Sequence, residues 1–189
     1  MPPKVKITKE QLIQAGVQFV REEGHEALHA RSLAQKMNIS TQPIFRLFHH
    51  MESLKEAIRQ QALQLYHRYI DEGLQEELPF KGTGKKYIQF AKEEPRLFQF
   101  LFMDRLHQDY HHVEIEESSR NEMLVSLIAA TAQISQEKAR LLQLETWIFV
   151  HGIATMMATQ TIQFDDEIIS KMLTHMFHGL KEEARREDH

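Results

Sequence analysis

Cysteine is absent from this chain, which removes disulfides, Cys-ligated zinc, thiolate nucleophiles and thiol redox chemistry from the functions open to it. Glycine and proline are scarce, at 7 and 5 of 189 residues. Collagen-like and disordered low-complexity classes are therefore excluded. No stretch approaches the roughly 18 uninterrupted apolar residues of a membrane span, and the start Met1-Pro2-Pro3-Lys4 has no apolar leader core. A cytoplasmic protein with no membrane partner is the expectation. Alternation of β-branched and polar residues is also missing, and apolar residues recur instead at three and four. The fold class expected is all-α, and at 22.3 kDa there is room for one large domain or two small ones.

Charge is unevenly spread. The net value is -4, but residues 1–55 hold eight Lys or Arg against five Asp or Glu, while residues 56–189 hold 15 against 22. A mildly basic front and an acidic body suit a phosphate-facing module attached to a larger domain.

The front reads as three helices. Thr8 with Gln11 is a capping-box pattern, opening a helix with Leu12, Ala15, Phe19 and Val20 on one face and Gly24 as its stop. A second, about Ala30 to Met37, ends at Asn38, which tolerates the left-handed turn. The third is expected to begin at Ser40 as N-cap, with Ile39 packing on Ile44 and Pro43 in the first turn, where a missing N–H costs no intrahelical bond. Ile44, Leu47, Phe48 and Met51 then form an inward apolar stripe, and Gln42, Phe45, Arg46 and His49 an outward one. A short helix, a tight turn and a capped helix with an outward polar stripe make a helix-turn-helix motif.

The segment Leu33-Ala34-Gln35-Lys36-Met37-Asn38-Ile39-Ser40-Thr41-Gln42-Pro43-Ile44-Phe45-Arg46-Leu47-Phe48, with Gly24 before it and Leu54 after it, resembles the helix-turn-helix of tetracycline-repressor-like (TetR) transcription regulators. Tyr87-Ile88-Gln89-Phe90-Ala91, then Pro95-Arg96-Leu97-Phe98, then Trp147, His151 and Gly152 in a W-x-x-x-H-G arrangement, is similar to a C-terminal domain type of that family. The resemblance implies a three-helix DNA-binding head in residues 1–51 and a larger helical body in 52–189. The body would bind a small apolar or amphipathic effector and form a homodimer through the last two helices. The implied protein is not an enzyme, uses no cofactor, and binds a double-stranded, palindromic operator, with repression as the expected sign. Where the family favours Tyr, His and Lys this chain has Phe45, Leu47 and Met51. Phosphate contacts are therefore expected from Lys4, Lys6, Arg31, Arg46, His49, His50 and Lys55, and base reading from Thr41, Gln42, Pro43 and Arg46, with Ser40 and Phe45 also among the DNA-binding residues.

Effector residues are chosen from the aromatic and methionine-rich middle of the body: Phe98, Phe102, Met123, Trp147 and His151, with His151 and Gln143 as polar anchors. The dimer helices span about Ser135 to Gln160 and Asp165 to Arg186. Two other readings stay open. One is a helical small-molecule-binding dimer with little DNA affinity. The other is a zinc hydrolase, because His25-Glu26-Ala27-Leu28-His29 is an H-E-x-x-H pattern; it needs a continuous helix, and Gly24 lies directly before it. His107, His111 and His112 with Glu114, and His175 with His178, are further histidine groups that lack an evident full set of ligands.

Overall fold

The computed structural model describes residues 7–104 and 119–186, and within them it contains helices α1 Lys9–Glu23, α2 Ala30–Lys36, α3 Gln42–Phe48, α4 Met51–Leu74, α5 Pro79–Glu93, α6 Pro95–Phe102, α7 Ser119–Ala132, α8 Gln136–Ala158 and α9 Asp166–Arg186. Among the described residues there is no strand, as the three-and-four spacing of apolar residues requires. Lys4, Lys6 and the His107, His111, His112, Glu114 group lie outside the described residues. The chain divides into two units, Met1–Tyr66 with Glu94–Met103, and His67–Glu93 with Asp104–His189. The first unit thus takes in more than residues 1–51: α4 continues to Tyr66 within it, and α6 joins it.

In the first unit α1 opens as its sequence dictates. Thr8 Oγ1 accepts the N–H of Gln11 at 3.2 Å and Gln11 Oε1 accepts that of Thr8 at 3.0 Å, which satisfies two amides that have no intrahelical acceptor. Leu12, Val17, Phe19 and Val20 are buried, and Gly24 closes the helix at φ 87° with its N–H on Val20 O. A Cβ on Gly16 would stand 2.2 Å from Ile58 Cδ1, so an alanine there would require the Ile58 side chain to move. Asn38, at φ 52°, turns the chain from α2 to α3. The core comprises Leu12, Val20, Leu28, Leu33, Ile44, Leu54, Ile58, Leu97, Phe98 and Leu101, each without exposed surface. α6 is tied to α1 by the Arg21–Glu94 pair, bidentate at 2.8 and 2.6 Å, and by the His25 ring stacked 5.6 Å from Phe100.

In the second unit α8 is central, packing on α5, α7 and α9. By length and apolarity alone α8 could cross a membrane. Its apolar residues Leu142, Val150, Ile153, Ala154 and Met157 are buried in this unit. The ends of α4 and α5 meet at glycines: a Cβ on Gly82 would lie 2.3 Å from Gly73 O, and one on Gly73 would lie 2.7 Å from the Thr83 backbone. Val125, Ile128, Ala132, Ala139 and Leu142 form a further cluster, with Phe80, Phe177 and Leu180 packed on it. Two cations cap helix ends: Lys138 Nζ donates to Ala184 O at 2.8 Å, and Arg185 Nε to Ala132 O at 2.9 Å.

Candidate functional site

α3 has two chemically different sides. Ile44 and Phe48 are buried, while Gln42, Phe45, Arg46 and His49 are exposed. The helix begins one residue later than the serine cap predicts. Thr41, not Ser40, is the N-cap, and no side chain caps there. The reason is local: Thr41 is already in the right-handed helical region at φ -72°, ψ -13°, and its carbonyl takes the N–H groups of Ile44 and Phe45, while Pro43 has no N–H to be satisfied. Ser40 is exposed, and Thr41 and Pro43 are half-buried. Arg31 on α2 is exposed and Lys55 on α4 half-buried. Nearby Lys36 is held by Glu22 and lies 5.3 Å over the Phe19 ring, so it is committed within the head. That pairing, with Gln18 beside it, keeps the Glu22 carboxyl below its usual range.

A second constellation lies in the second unit. Trp147 and His151, one helical turn apart on α8, stack with ring centroids 5.0 Å apart and 23° between planes. His151 Nδ1 is 2.8 Å from the hydroxyl of Tyr87 on α5. Tyr87, 4% exposed, is the residue that sequence reasoning missed. Its signal was the Tyr87–Ala91 segment itself, whose tyrosine carries a polar group into an otherwise apolar helix face. A hydroxyl and an imidazole so placed offer an oriented hydrogen-bonding pair beside an indole face. Gln143 bonds Asn121 at 3.2 Å, and Met123 is 57% exposed. Phe98 and Phe102 belong to the first unit, where their rings pack 5.1 Å apart and Phe102 also meets Tyr66. The structure therefore brings Trp147 and His151 together and adds Tyr87, while fully buried Phe98 serves as core of the first unit.

The W-x-x-x-H-G arrangement has two outlets. His151 turns toward Tyr87, whereas Gly152, next in sequence and about 100° around the helix, has no atom within 4 Å of where a Cβ would be. Gly152 continues a stripe with Leu141 and Ile148, at i, i+7 and i+11, and these two are 55% and 58% exposed. α9 carries a similar stripe, with Ile168 45% exposed, His175 exposed and Gly179 open. Leu141 and Ile148 on α8 and Ile168 on α9 thus leave apolar surface in water in the single chain.

The H-E-x-x-H segment is not helical. Residues 25–27 form a bend and turn, His25 stacks on Phe100, and His29 precedes α2 with its N–H on Ser32 Oγ at 3.0 Å. The i, i+4 geometry that would aim both imidazoles at one metal is thus not formed. Among the described residues no three His, Asp or Glu gather as a metal site, and His175 and His178 are both exposed on α9.

Residues 80–180 match the model of the family "Tetracyclin repressor-like, C-terminal domain". No curated protein matches the sequence. Among solved structures, a protein of unknown function from Rhodococcus sp. RHA1 superposes with a TM-score of 0.74 at 17% identity, over 96% of this chain and 100% of that one. A TetR-like transcriptional regulator from the same organism gives 0.67 at 15%, over 94% and 96%. A TetR variant from Acinetobacter baumannii AYE, in complex with minocycline, gives 0.62 at 16%, over 94% and 98%. At these identities the likenesses concern the fold.

Proposed function

The chain belongs to the tetracycline-repressor-like family, and from that premise we propose that it is a ligand-responsive transcriptional repressor acting as a homodimer on a palindromic operator. In this reading residues 1–51 are the DNA-binding domain and 52–189 the effector-binding and dimerisation domain. The observation that carries the proposal is the division of α3, with Ile44 and Phe48 buried and Gln42, Phe45, Arg46 and His49 in solvent. Gln pairs with adenine and Arg with guanine through two hydrogen bonds each, while an exposed phenyl ring suits a thymine methyl. Thr41 and Pro43 would lie against bases beside Gln42 and Arg46, while Arg31, Ser40, His50 and Lys55, with Lys4 and Lys6 of the basic front, would position the head on phosphates. Two copies joined through the apolar stripes of α8 and α9 would place two α3 helices in successive major grooves about 34 Å apart.

The effector would meet Trp147, His151, Gln143 and Met123, with Tyr87 orienting the imidazole, whereas Phe98 and Phe102 stay with the packing of the first unit. An effector that favours a head spacing unsuited to the operator lowers DNA affinity by a coupling free energy of about 1 to 3 kcal/mol. No catalytic step enters this mechanism. A helical effector-binding dimer with little DNA affinity is the second reading, favoured by Phe45, 45% exposed where a polar group would bond a phosphate.

The test is a gel shift with duplex DNA from the region upstream of the chain's own gene, at about 50 and 200 mM salt, with Arg46→Ala and Gln42→Ala. Loss of a bidentate base contact corresponds to about 1 to 3 kcal/mol, a roughly 5- to 150-fold weakening. Wild-type affinity should fall steeply with salt. A dimer that binds this DNA no better than unrelated duplex at low salt, or variants that bind like wild type, speak for the second reading.

A further inference from the structure

Trp147, His151 and Thr155 follow one another on α8 at i, i+4 and i+8, a row along one side of the helix with a rise of about 12 Å. The first two are the stacked rings, and Tyr87 of α5 bonds the second. Thr155 differs from the other buried or half-buried threonines in the helices of this unit. Thr83 Oγ1 donates to Phe80 O at 2.9 Å, Thr174 Oγ1 to Ser170 O at 2.9 Å, and Thr146 Oγ1 to Met176 Sδ at 3.5 Å. Among the described residues no group hydrogen-bonds the hydroxyl of Thr155, and its oxygen is closed to solvent although the residue as a whole is half-buried. The bond to the carbonyl four residues earlier, which a helical threonine ordinarily makes, is therefore not formed here.

A hydroxyl removed from water without a new partner forfeits its bonds to solvent, so such atoms are rare in folded chains and each calls for a reason. A reason at hand is a bound molecule that supplies the bond. The charges around the row restrict what that molecule can be. Residues 146–164 include no Asp, Glu, Lys or Arg. On α5, Lys86 is held by Glu72 and Lys92 by Asp166, while Lys85 comes two residues before Tyr87 and so lies on the opposite side of the helix. Toward the start of α8, Arg140 gives both guanidinium bonds to Glu122. An ionised ligand laid along this row would lose its hydration and meet no uncommitted counter-charge on these two helices. A neutral one would meet an indole face, an imidazole and a hydroxyl in succession.

We propose that Thr155 is the polar end of the effector site, and that the effector is an uncharged, elongated molecule with a ring at one end and a hydrogen-bonding oxygen about two helical turns away. The ring would lie against Trp147 and His151, and the oxygen would exchange a hydrogen bond with Thr155 Oγ1, which can donate or accept. This rests on the reading of Trp147 and His151 as an effector site.

The experiment uses the intrinsic fluorescence of Trp147, the single tryptophan of the chain. Wild type, Thr155→Val and Thr155→Ser are titrated at about pH 7.5 with phenylhexanol, with hexylbenzene, which lacks the hydroxyl, and with phenylhexanoate, which is ionised at that pH. Thr155→Val should weaken phenylhexanol about 3- to 10-fold and leave hexylbenzene unweakened, so that the loss belongs to the pair of hydroxyls. Thr155→Ser keeps the hydroxyl and should bind phenylhexanol like the wild type. Phenylhexanoate should bind the wild type at least about 10-fold more weakly than phenylhexanol. Without any probe, Thr155→Val should melt at or up to about 4 °C above the wild type, because it removes a buried polar atom that has no partner.

Equal losses for phenylhexanol and hexylbenzene, a Thr155→Ser variant as weak as Thr155→Val, a carboxylate bound as tightly as the alcohol, or a Thr155→Val melt clearly below that of the wild type each overturns the proposal. If the probes bind at Trp147 without regard to Thr155, the effector site stands and this inference alone falls. If no probe alters Trp147 emission in a saturable way, both fall.

Discussion

Ile148→Glu tests the proposed dimer and should separate folding from assembly. Ile148 lies on α8 in the stripe with Leu141 and Gly152 and is 58% exposed in the single chain. Complete burial of an isoleucine side chain stabilises by about 1.5 to 3 kcal/mol, so the surface still open here corresponds to about 1 to 1.5 kcal/mol per protomer. A two-fold interface uses each residue twice, which makes about 2 to 3 kcal/mol per dimer, or a roughly 30- to 150-fold change in Kd. Glutamate adds two carboxylates to the contact, each costing several kcal/mol if desolvated without a partner. Dimerisation should therefore weaken by more than about 1000-fold. The fold of the protomer should survive, since a good helix former replaces a residue that mainly faces water. Analytical ultracentrifugation from about 1 to 100 μM, paired with circular dichroism melts, reads both effects. A wild type that stays monomeric at the highest concentration refutes the dimer argument, as does an Ile148→Glu variant that sediments as a dimer at the lowest.

Two further substitutions test the packing of the second unit. Gly82→Ala forces a methyl to within 2.3 Å of Gly73 O, a backbone atom that cannot rotate away; overpacking of this kind costs about 1 to 3 kcal/mol, partly offset by up to about 1 kcal/mol of helix propensity. Tm should drop by roughly 2–8 °C, and an unchanged melt shows that the α4–α5 contact is slack. Asp71 accepts two bonds from Arg120, at 2.6 and 2.9 Å, and the guanidinium holds its carboxyl below the ordinary value near 3.8. A carboxylate so lowered stabilises the fold above that pH and ceases to do so as pH falls through its folded value. With both side chains more than a third open to solvent, Asp71→Asn should cost only about 0.2 to 1 kcal/mol at pH 7. In urea melts that cost should shrink by pH 3, and a cost that grows on acidification contradicts the sign.

Much of the head was legible because its signals are local. The Thr8–Gln11 capping box, Gly24 as a stop and Asn38 at the turn each depend on residues within one or two turns of each other and are found in the structure. Of the two faces of α3, Ile44 and Phe48 are buried and Gln42, Phe45 and Arg46 exposed as expected, but the helix ends at Phe48, so His49 lies beyond it and Met51 opens α4. The start of the long body helix at Ser135 was legible for the same reason. The cap of α3 was misplaced by one residue, since Ser40 has the right chemistry but Thr41 already holds the helical backbone that ends the competition.

The amino-acid order by itself determined an all-helical chain, the places where helices start and stop, and which side of each helix avoids water, because hydrophobic periodicity and capping act over a few residues. Only the tertiary structure decided which distant side chains meet. It set Tyr87 against His151 across 64 positions and placed Phe98 in the core of the first unit. It also turned His151 and Gly152 to different surroundings. Those outcomes depend on how whole helices pack, and packing is settled by the fit of many residues at once, which a spacing of three or four does not record.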